Sequence, residues 1–198
     1  MTEQERDLRA RLVAAGVELV ARDGVQALGL REIARQAGVS HGAPRRYFPT
    51  HRELLAAIAR HGFGKLTDTM AGTDAMATTE GADPRARLGG LARAYLRFAA
   101  ANPGMFELMF RHDLLEGSGA ELRLTTLPLF RTFARLVAET RSLPPGAAAD
   151  TAAAALWANL HGLAQLHAWG SLRLVTGGDD VEPLLRAALD AHLGPEQR

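Results

Sequence analysis

Apolar residues recur at intervals of three and four along most of the chain, and no stretch alternates apolar and polar residues as a strand does. Such spacing gathers the apolar side chains on one face of an α-helix. The first face runs over residues 8–20 and stops at Asp23 and Gly24, where glycine can take the left-handed conformation that ends a helix. The pattern predicts an all-α protein of about nine helices.

Two short helices joined by a glycine turn are predicted next. Residues 30–37 fit two helical turns ended by Gly38, and Ser40 is a suitable N-cap for a second helix that runs to residue 48. Such a pair forms a helix-turn-helix, whose second helix can enter the major groove of DNA. Thr50 can then cap a longer helix that reaches about residue 70.

Turn and start signals organise the C-terminal half. Residues 71–83 are small and polar, which predicts a loop. Asp83-Pro84 and Asn102-Pro103 each place a capping residue before proline, so a helix is expected to begin at each. Pro128 lies inside the helical pattern of residues 121–140 and is expected to kink or break that helix.

The last two predicted helices differ in how much of their surface is apolar. Residues 147 to about 174 are apolar nearly all round, and a narrow apolar stripe follows on the final helix. A helix without a polar face must be covered on every side, either inside one subunit or by a second copy. If a second copy covers it, the protein is a homodimer that forms through the last two helices. The residues expected at this interface are Leu163, Leu166, Gly170, Leu184, Leu185, Ala188 and Leu189.

Composition excludes several classes of protein. The 198 residues include no cysteine, so disulfides, thiolate zinc sites and cysteine nucleophiles are absent. No run approaches the ~20 apolar residues that cross a bilayer, and we expect a cytoplasmic protein with no membrane partner. Residues 31–60 hold six arginines against two glutamates, which suits a polyanion, although a solvated helix face has the same composition.

Catalytic and metal-binding motifs do not stand out. His161 and His167 are six residues apart and lie on different faces of a helix, so they cannot chelate one metal ion as an i, i+4 pair does. The sequence has no phosphate-binding glycine loop and no HExxH. We therefore expect no enzyme activity, no cofactor and no bound metal.

The amino-acid sequence around the predicted helix-turn-helix contains distinctive motifs. Residues 30–40 read LREIARQAGVS, and GAP, YFP and ELL follow at residues 42, 47 and 53. This segment, over about residues 5–60, resembles the TetR/AcrR transcriptional regulators. Farther along, WANLHG at residues 157–162 is similar to the Trp-His-Gly signature of the C-terminal WHG domain of that family, over about residues 84–194.

The resemblance implies two domains. A helix-turn-helix DNA-binding domain would occupy residues 1–50, with the start of a connecting helix to about residue 70, and a helical ligand-binding and dimerisation domain would occupy residues 51–198. The chain departs from the family pattern at Gly29, where serine or threonine is usual, and at Arg45 and His51, where an aromatic residue and lysine are usual.

Candidate DNA-binding residues come from the residue types of the predicted second helix and from the positions that the family resemblance implies. Small residues at Gly42 and Ala43 allow a close approach to the duplex, and Arg45 and Arg46 are forked donors suited to phosphate or guanine. The family positions add further residues. The complete set is Arg31, Ser40, His41, Gly42, Ala43, Arg45, Arg46, Tyr47 and His51.

The resemblance also implies a cavity for a small-molecule effector in the C-terminal bundle. Trp157 and His161 lie one helical turn apart, and bulky residues on other predicted helices can line a cavity with them. The same aromatic spacing is typical of a plain core, and both interpretations stay open. The candidate set is Phe98, Phe106, Met109, Phe110, Phe133, Trp157, His161 and Trp169.

These expectations combine into one functional hypothesis. A homodimeric repressor would bind a palindromic operator in double-stranded DNA and be released by a small molecule that changes the spacing of the two recognition helices. The alternatives are an all-α small-molecule-binding protein or enzyme with no specific DNA role, and a ligand-blind architectural DNA-binding protein.

Overall fold

The computed structural model describes residues 3–77, 83–118, 122–144 and 146–195. All regular structure in these ranges is helical, which confirms the predicted all-α class, and the eleven α-helices exceed the predicted nine by two. A short 3-10 turn spans Val25–Ala27. The α-helices are α1 (Glu3–Asp23), α2 (Leu30–Gln36), α3 (Pro44–Tyr47), α4 (His51–Ala77), α5 (Pro84–Ala101), α6 (Pro103–Phe110), α7 (His112–Leu115), α8 (Leu122–Arg141), α9 (Ala147–Ala168), α10 (Ser171–Thr176) and α11 (Glu182–Leu193).

The chain divides into two compact units. Unit 1 comprises residues 1–65 and 102–125, and unit 2 comprises residues 66–101 and 126–198. Helices α4 and α8 contribute to both units, since each runs across a boundary. The predicted domain division near residue 50 stays a prediction.

Unit 1 is built on close helix crossings. Leu12, Ile33 and Ile58 from α1, α2 and α4 are fully buried and form its centre. Helix α6 approaches α1 so closely that a methyl group on Gly104 would lie 2.3 Å from the carbonyl oxygen of Val20. No side chain fits there, and glycine at this position is therefore a requirement of the packing.

Unit 2 packs α5 and α11 against α9. Leu88, Leu156 and Leu160 are fully buried between these helices, in line with their apolar faces. At the edge of the core, the guanidinium of Arg85 binds Asp190, and Arg93 binds Glu182 with N to O distances from 2.5 to 3.0 Å. The described residues contain no helix long and apolar enough to cross a membrane.

Most predicted helix ends are confirmed by local bonds. The Thr50 hydroxyl accepts the backbone N–H of Glu53 at 3.2 Å, as an N-cap does. The carboxylate of Asp83 accepts the N–H groups of Arg85 and Ala86, at 3.1 and 3.3 Å, before α5. Helix α1 ends at Asp23, as the sequence predicts.

The loop predicted over residues 71–83 begins too early. Helix α4 continues to Ala77, and side-chain bonds account for its extra length. Arg87 donates two hydrogen bonds to Asp74, at 2.8 and 2.9 Å, and the Thr73 hydroxyl donates to the carbonyl of Thr69. Small polar residues can therefore remain helical where a neighbouring helix supplies a partner.

Two further predictions about helix breaks need correction. Helix α8 continues through Pro128, so the predicted break is wrong, while the predicted kink stays a prediction. The carbonyl of Leu124, which loses its N–H partner, belongs to an exposed residue and can bind water. The long helix predicted over residues 147–174 is instead two helices, since Gly170 takes a φ of 71° between α9 and α10.

Candidate functional site

The turn between α2 and α3 is fixed by backbone bonds. Gly38 has a φ of 67°, which favours glycine, and its N–H donates to the carbonyl of Arg35 at 3.2 Å. The N–H of Val39 donates to the carbonyl of Ala34 at 3.0 Å. These two bonds form a Schellman motif, so the chain leaves α2 in a defined direction towards α3.

Helix α3 is shorter than predicted. Ser40 does not cap it, because the N–H of Ala43 bonds to the Ser40 carbonyl at 3.0 Å and residues 40–43 form a turn. The helix begins at Pro44, whose missing N–H costs nothing at a first helical position. The predicted start at residue 40 is wrong, because the helix begins at Pro44, with Ala43 as the residue that precedes it.

Two arginines on α1 contact the two ends of the segment that contains the glycine turn and α3. The guanidinium of Arg11 donates to the carbonyl of Ala37 at 2.8 Å, just before the glycine turn. The guanidinium carbon of Arg9 lies 4.8 Å from the centre of the Phe48 ring, just after α3. Sequence reasoning did not identify either residue, since both contacts join positions that are distant along the chain.

The candidate DNA residues all belong to unit 1, and most of them are exposed. Arg31, Arg45 and Arg46 are exposed, and no carboxylate among the described residues forms an ion pair with them. Arg35, by contrast, binds Glu32, and this guanidinium holds the pKa of the Glu32 carboxyl below its usual range. Of the other predicted DNA residues, Ser40, His41 and Gly42 are exposed, and Ala43, Tyr47 and His51 are half-buried.

His51 is committed to the protein itself. Its Nε2 lies 2.5 Å from the carbonyl oxygen of Leu28, so Nε2–H donates this bond. In the neutral ring Nδ1 is then an acceptor, which a phosphate cannot use. The geometry gives His51 a role in tying the start of α4 to the segment before α2.

A polar cluster joins α5 and α9 in unit 2. The indole N–H of Trp157 donates to the Tyr95 hydroxyl at 3.3 Å, and that hydroxyl lies 2.9 Å from Nδ1 of His161. Burial raises the pKa of Tyr95 and lowers the pKa of His161. A phenol that accepts from the indole and donates to a neutral imidazole gives partners to the indole N–H, the hydroxyl and Nδ1 of His161.

Tyr95 was missed as a site residue by the sequence analysis. One signal was available, because the chain has only two tyrosines and this one falls on the apolar face of a helix. A tyrosine in such a position is expected to find a partner for its hydroxyl.

The predicted effector residues fall into both compact units. In unit 1, the ring of Phe110 lies 5.0 Å from that of Phe106 and 5.6 Å from that of Phe63, centre to centre. Met109 belongs to the same unit. Unit 2 contains the others, of which Phe98 and Phe133 are buried, Trp157 and His161 are partly exposed, and Trp169 is 71% exposed.

Unit 2 also has a cleft of about 420 Å³ between the end of α8 and the start of α9. Four of its ten lining residues are charged, and one of them, Arg135, binds Glu139 at 2.6 Å. The sequence analysis assigned none of its lining residues to a ligand site. They are Arg131, Ala134, Arg135, Ala138, Glu139, Ser142, Leu143, Gly146, Ala149 and Asp150.

The predicted dimer residues differ in accessibility. Leu185, Ala188 and Leu189 are buried within the chain, so their surfaces are already covered. Leu166 and Gly170 are exposed, and Leu163 and Leu184 are partly so. Helix α10 adds two strongly exposed apolar residues that were not predicted, Leu174 and Val175.

Two protein-family models match the chain. The model described as "Bacterial regulatory proteins, tetR family" matches residues 12–58, which contain the helix-turn-helix. The model described as "Tetracyclin repressor-like, C-terminal domain" matches residues 88–192, more than half of the chain.

Individual relatives agree with these matches. The HTH-type transcriptional regulator BetI of Rhizobium meliloti is 38% identical over 90 residues, which are 45% of this chain and 42% of BetI. The HTH-type transcriptional repressor KstR of Mycobacterium tuberculosis is 31% identical over 110 residues, 56% of this chain and 48% of KstR. The matched part therefore spans about half the length of these relatives. A solved protein of unknown function from Rhodococcus sp. RHA1 is 32% identical, with a TM-score of 0.77 over 96% of both chains.

Proposed function

The chain belongs to the TetR family of bacterial regulatory proteins, as its sequence predicts, and on this basis we propose that it is a ligand-responsive, DNA-binding transcriptional repressor. It acts in the cytoplasm as a homodimer on a palindromic operator, and a small molecule releases it. No catalytic step is part of this function.

One observation carries the DNA-binding role. A glycine turn with Schellman bonds presents α3, and the exposed surface there is small at Gly42 and cationic at Arg45 and Arg46, with no described carboxylate to neutralise the arginines. A helix is narrow enough for a major groove ~12 Å wide, and free guanidinium groups suit phosphate and guanine edges. The surface therefore has the shape and charge that reading a duplex requires.

The surface of unit 2 supports the proposed dimer. The apolar side chains of Leu166, Trp169, Leu174 and Val175 are exposed at the end of α9 and on α10. A monomer rarely leaves such a group uncovered, and a second copy would cover it with the same group. Two recognition helices held in this way can bind half-sites one helical turn apart, ~34 to 36 Å.

The effector role rests on the Tyr95, Trp157 and His161 cluster. These groups offer a hydroxyl, an indole N–H and an imidazole beside apolar helices, which fits the few polar groups of a small-molecule site. We propose the same role for Phe98 and Phe133, the buried members of the predicted set that lie in unit 2. A ligand that binds one arrangement of the bundle better would shift the population away from the DNA-binding arrangement.

The DNA-binding role is tested by a gel-shift titration. DNA that flanks the gene of the protein, and a scrambled competitor, are titrated at two salt concentrations with the wild type, Arg45→Ala, Arg46→Ala and, as a charge-matched control on α5 of unit 2, the exposed Arg97→Ala. We expect each α3 variant to weaken binding about tenfold or more, while the control binds like the wild type. Wild-type binding that scrambled DNA removes equally well would contradict the proposal.

The effector role is tested with the two tryptophans as reporters. Small amphipathic compounds are screened for release of the DNA, and each active compound is added to Trp169→Phe, which retains Trp157, and to Trp157→Phe, which retains Trp169. We expect the emission of Trp157 to change on binding. Release of DNA with unchanged emission from Trp157 would place the effector elsewhere.

A further inference from the structure

The guanidinium groups of three arginines on helix α1 lie in different environments. Arg11 donates to the carbonyl of Ala37, and Arg22 pairs with Asp23 at 2.7 Å. Arg9 is half-buried and lies on the Phe48 ring, but no carbonyl or carboxylate of the described residues accepts a hydrogen bond from it. Among these three, Arg9 keeps its N–H donors available.

The ring beneath Arg9 belongs to the recognition segment. Phe48 follows α3 directly, its N–H donates to the carbonyl of Pro44 at 2.8 Å, and its side chain is 1% exposed. A buried ring of this kind cannot move independently of α3. The cation–π contact therefore fixes the guanidinium of Arg9 beside the end of α3, while the edge of the guanidinium stays free to bind an anion.

We propose that Arg9 binds a phosphate of the DNA backbone and that Phe48 is the platform that orients it. This inference rests on the proposed DNA-binding function. A recognition helix in the major groove lies between two phosphate strands, and a cation at its C-terminal end, contributed by another helix, is placed to meet one of them. Arginine suits this role because its planar fork matches phosphate oxygens, and a guanidinium that is already held in place loses less freedom on binding.

The salt dependence of DNA affinity tests this contact. Arg9→Gln, Arg9→Lys and the control Arg22→Gln are compared with the wild type by fluorescence anisotropy on the DNA fragment that the wild type binds, from 50 to 300 mM KCl. Loss of one phosphate contact reduces the slope of log K against log[salt] by about 0.9, so a dimer of Arg9→Gln should lose about 1.8. Arg9→Lys keeps the charge and should keep the slope, with weaker binding because the fork is lost.

The outcomes separate this inference from the function on which it rests. A wild-type slope for Arg9→Gln, in a variant whose thermal unfolding matches the wild type, would overturn the role of Arg9 while operator binding by the protein stands. If Arg9→Gln is less stable than the wild type, the salt dependence of Arg9→Lys decides between the outcomes. A lowered slope of log K against log[salt] for Arg9→Lys, which keeps the charge, would contradict a phosphate contact. A loss of affinity for the operator but not for scrambled DNA would also overturn it, because a phosphate contact weakens both alike. Absence of any operator binding by the wild type would instead reject the proposed function.

Discussion

The two compact units leave different kinds of side chain on their surfaces. Of the large apolar side chains that are exposed in the described residues, Leu124 alone lies in unit 1, whereas unit 2 exposes Met76, Trp157, Leu166, Trp169, Leu174 and Val175. Around α3, the exposed large side chains of unit 1 are arginines. Unit 1 therefore completes its core within one chain and presents charge, while unit 2 presents apolar surface.

This difference assigns a different kind of partner to each unit. Charge without a neutralising carboxylate is stable in water and gains energy from a polyanion, so the surface of unit 1 can stay free until DNA arrives. Exposed apolar side chains favour permanent burial, which is typical of an interface between subunits. The proposed recognition of DNA and the proposed association of subunits thus rest on different units of the chain.

The largest expected effect is on the packing of unit 1. Gly104→Ala places a methyl group against the backbone of α1, which cannot give way as a flexible side chain can, and we expect a loss of about 2 to 4 kcal/mol of unfolding free energy. For a chain of this length Tm would fall by roughly 10 °C in calorimetry. The control is Gly64→Ala, where nothing lies within 4 Å of the added methyl group and where the helix should gain slightly. Equal Tm values for the two variants would refute the close crossing of α6 and α1.

A smaller effect is expected on association through unit 2. Leu174→Glu combined with Val175→Glu puts charge into the exposed apolar surface, and we expect the dimer dissociation constant to rise about 30-fold or more, or about 2 kcal/mol. Sedimentation equilibrium measures this constant, with Met76→Glu as the control because Met76 is equally exposed but lies on α4. A dimer that tolerates both charges would show that α10 lies outside the interface.

The smallest expected effect concerns acidic pH. Burial lowers the pKa of His161, so the folded protein binds a proton at this imidazole more weakly than the unfolded chain does. In an unfolded chain the pKa of histidine is about 6.5. The stability contributed by neutral His161 is therefore complete above about pH 6.5 and is lost as the pH falls below it. Calorimetry from pH 7.5 to 5.5 should show a smaller fall in Tm for His161→Gln than for the wild type. The same fall in both proteins would mean that His161 is not buried as a neutral group.

Local signals predicted many of the helix boundaries. Gly38, Thr50 and Asp83 act through bonds to residues within five positions, so a sequence contains both partners and their spacing. The end of α2 is likewise a local signal, because both Schellman bonds depend on the glycine at position 38. These signals, with the helical periodicity, predicted the all-α class and the helix-turn-helix.

The features that were missed depend on distant partners. The extension of α4 needs Arg87, the hydroxyl of Tyr95 needs α9, and the position of Arg9 needs Phe48. Periodicity predicts that a residue lies on an apolar face but not which helix meets that face. For this reason the exposed arginines of the candidate DNA surface could be named from their residue types, whereas the candidate effector residues could be named only as a set of bulky, mostly aromatic positions.

The most direct test of the account is a hydroxyl-radical footprint on the DNA fragment that the protein binds, combined with the stoichiometry of the complex from sedimentation. The account predicts two symmetrical protected regions whose centres are about one helical turn apart, ~34 to 36 Å, and two protein chains in each complex. Protection of a single region by one chain, or uniform protection along the fragment, would contradict a dimer that reads two half-sites.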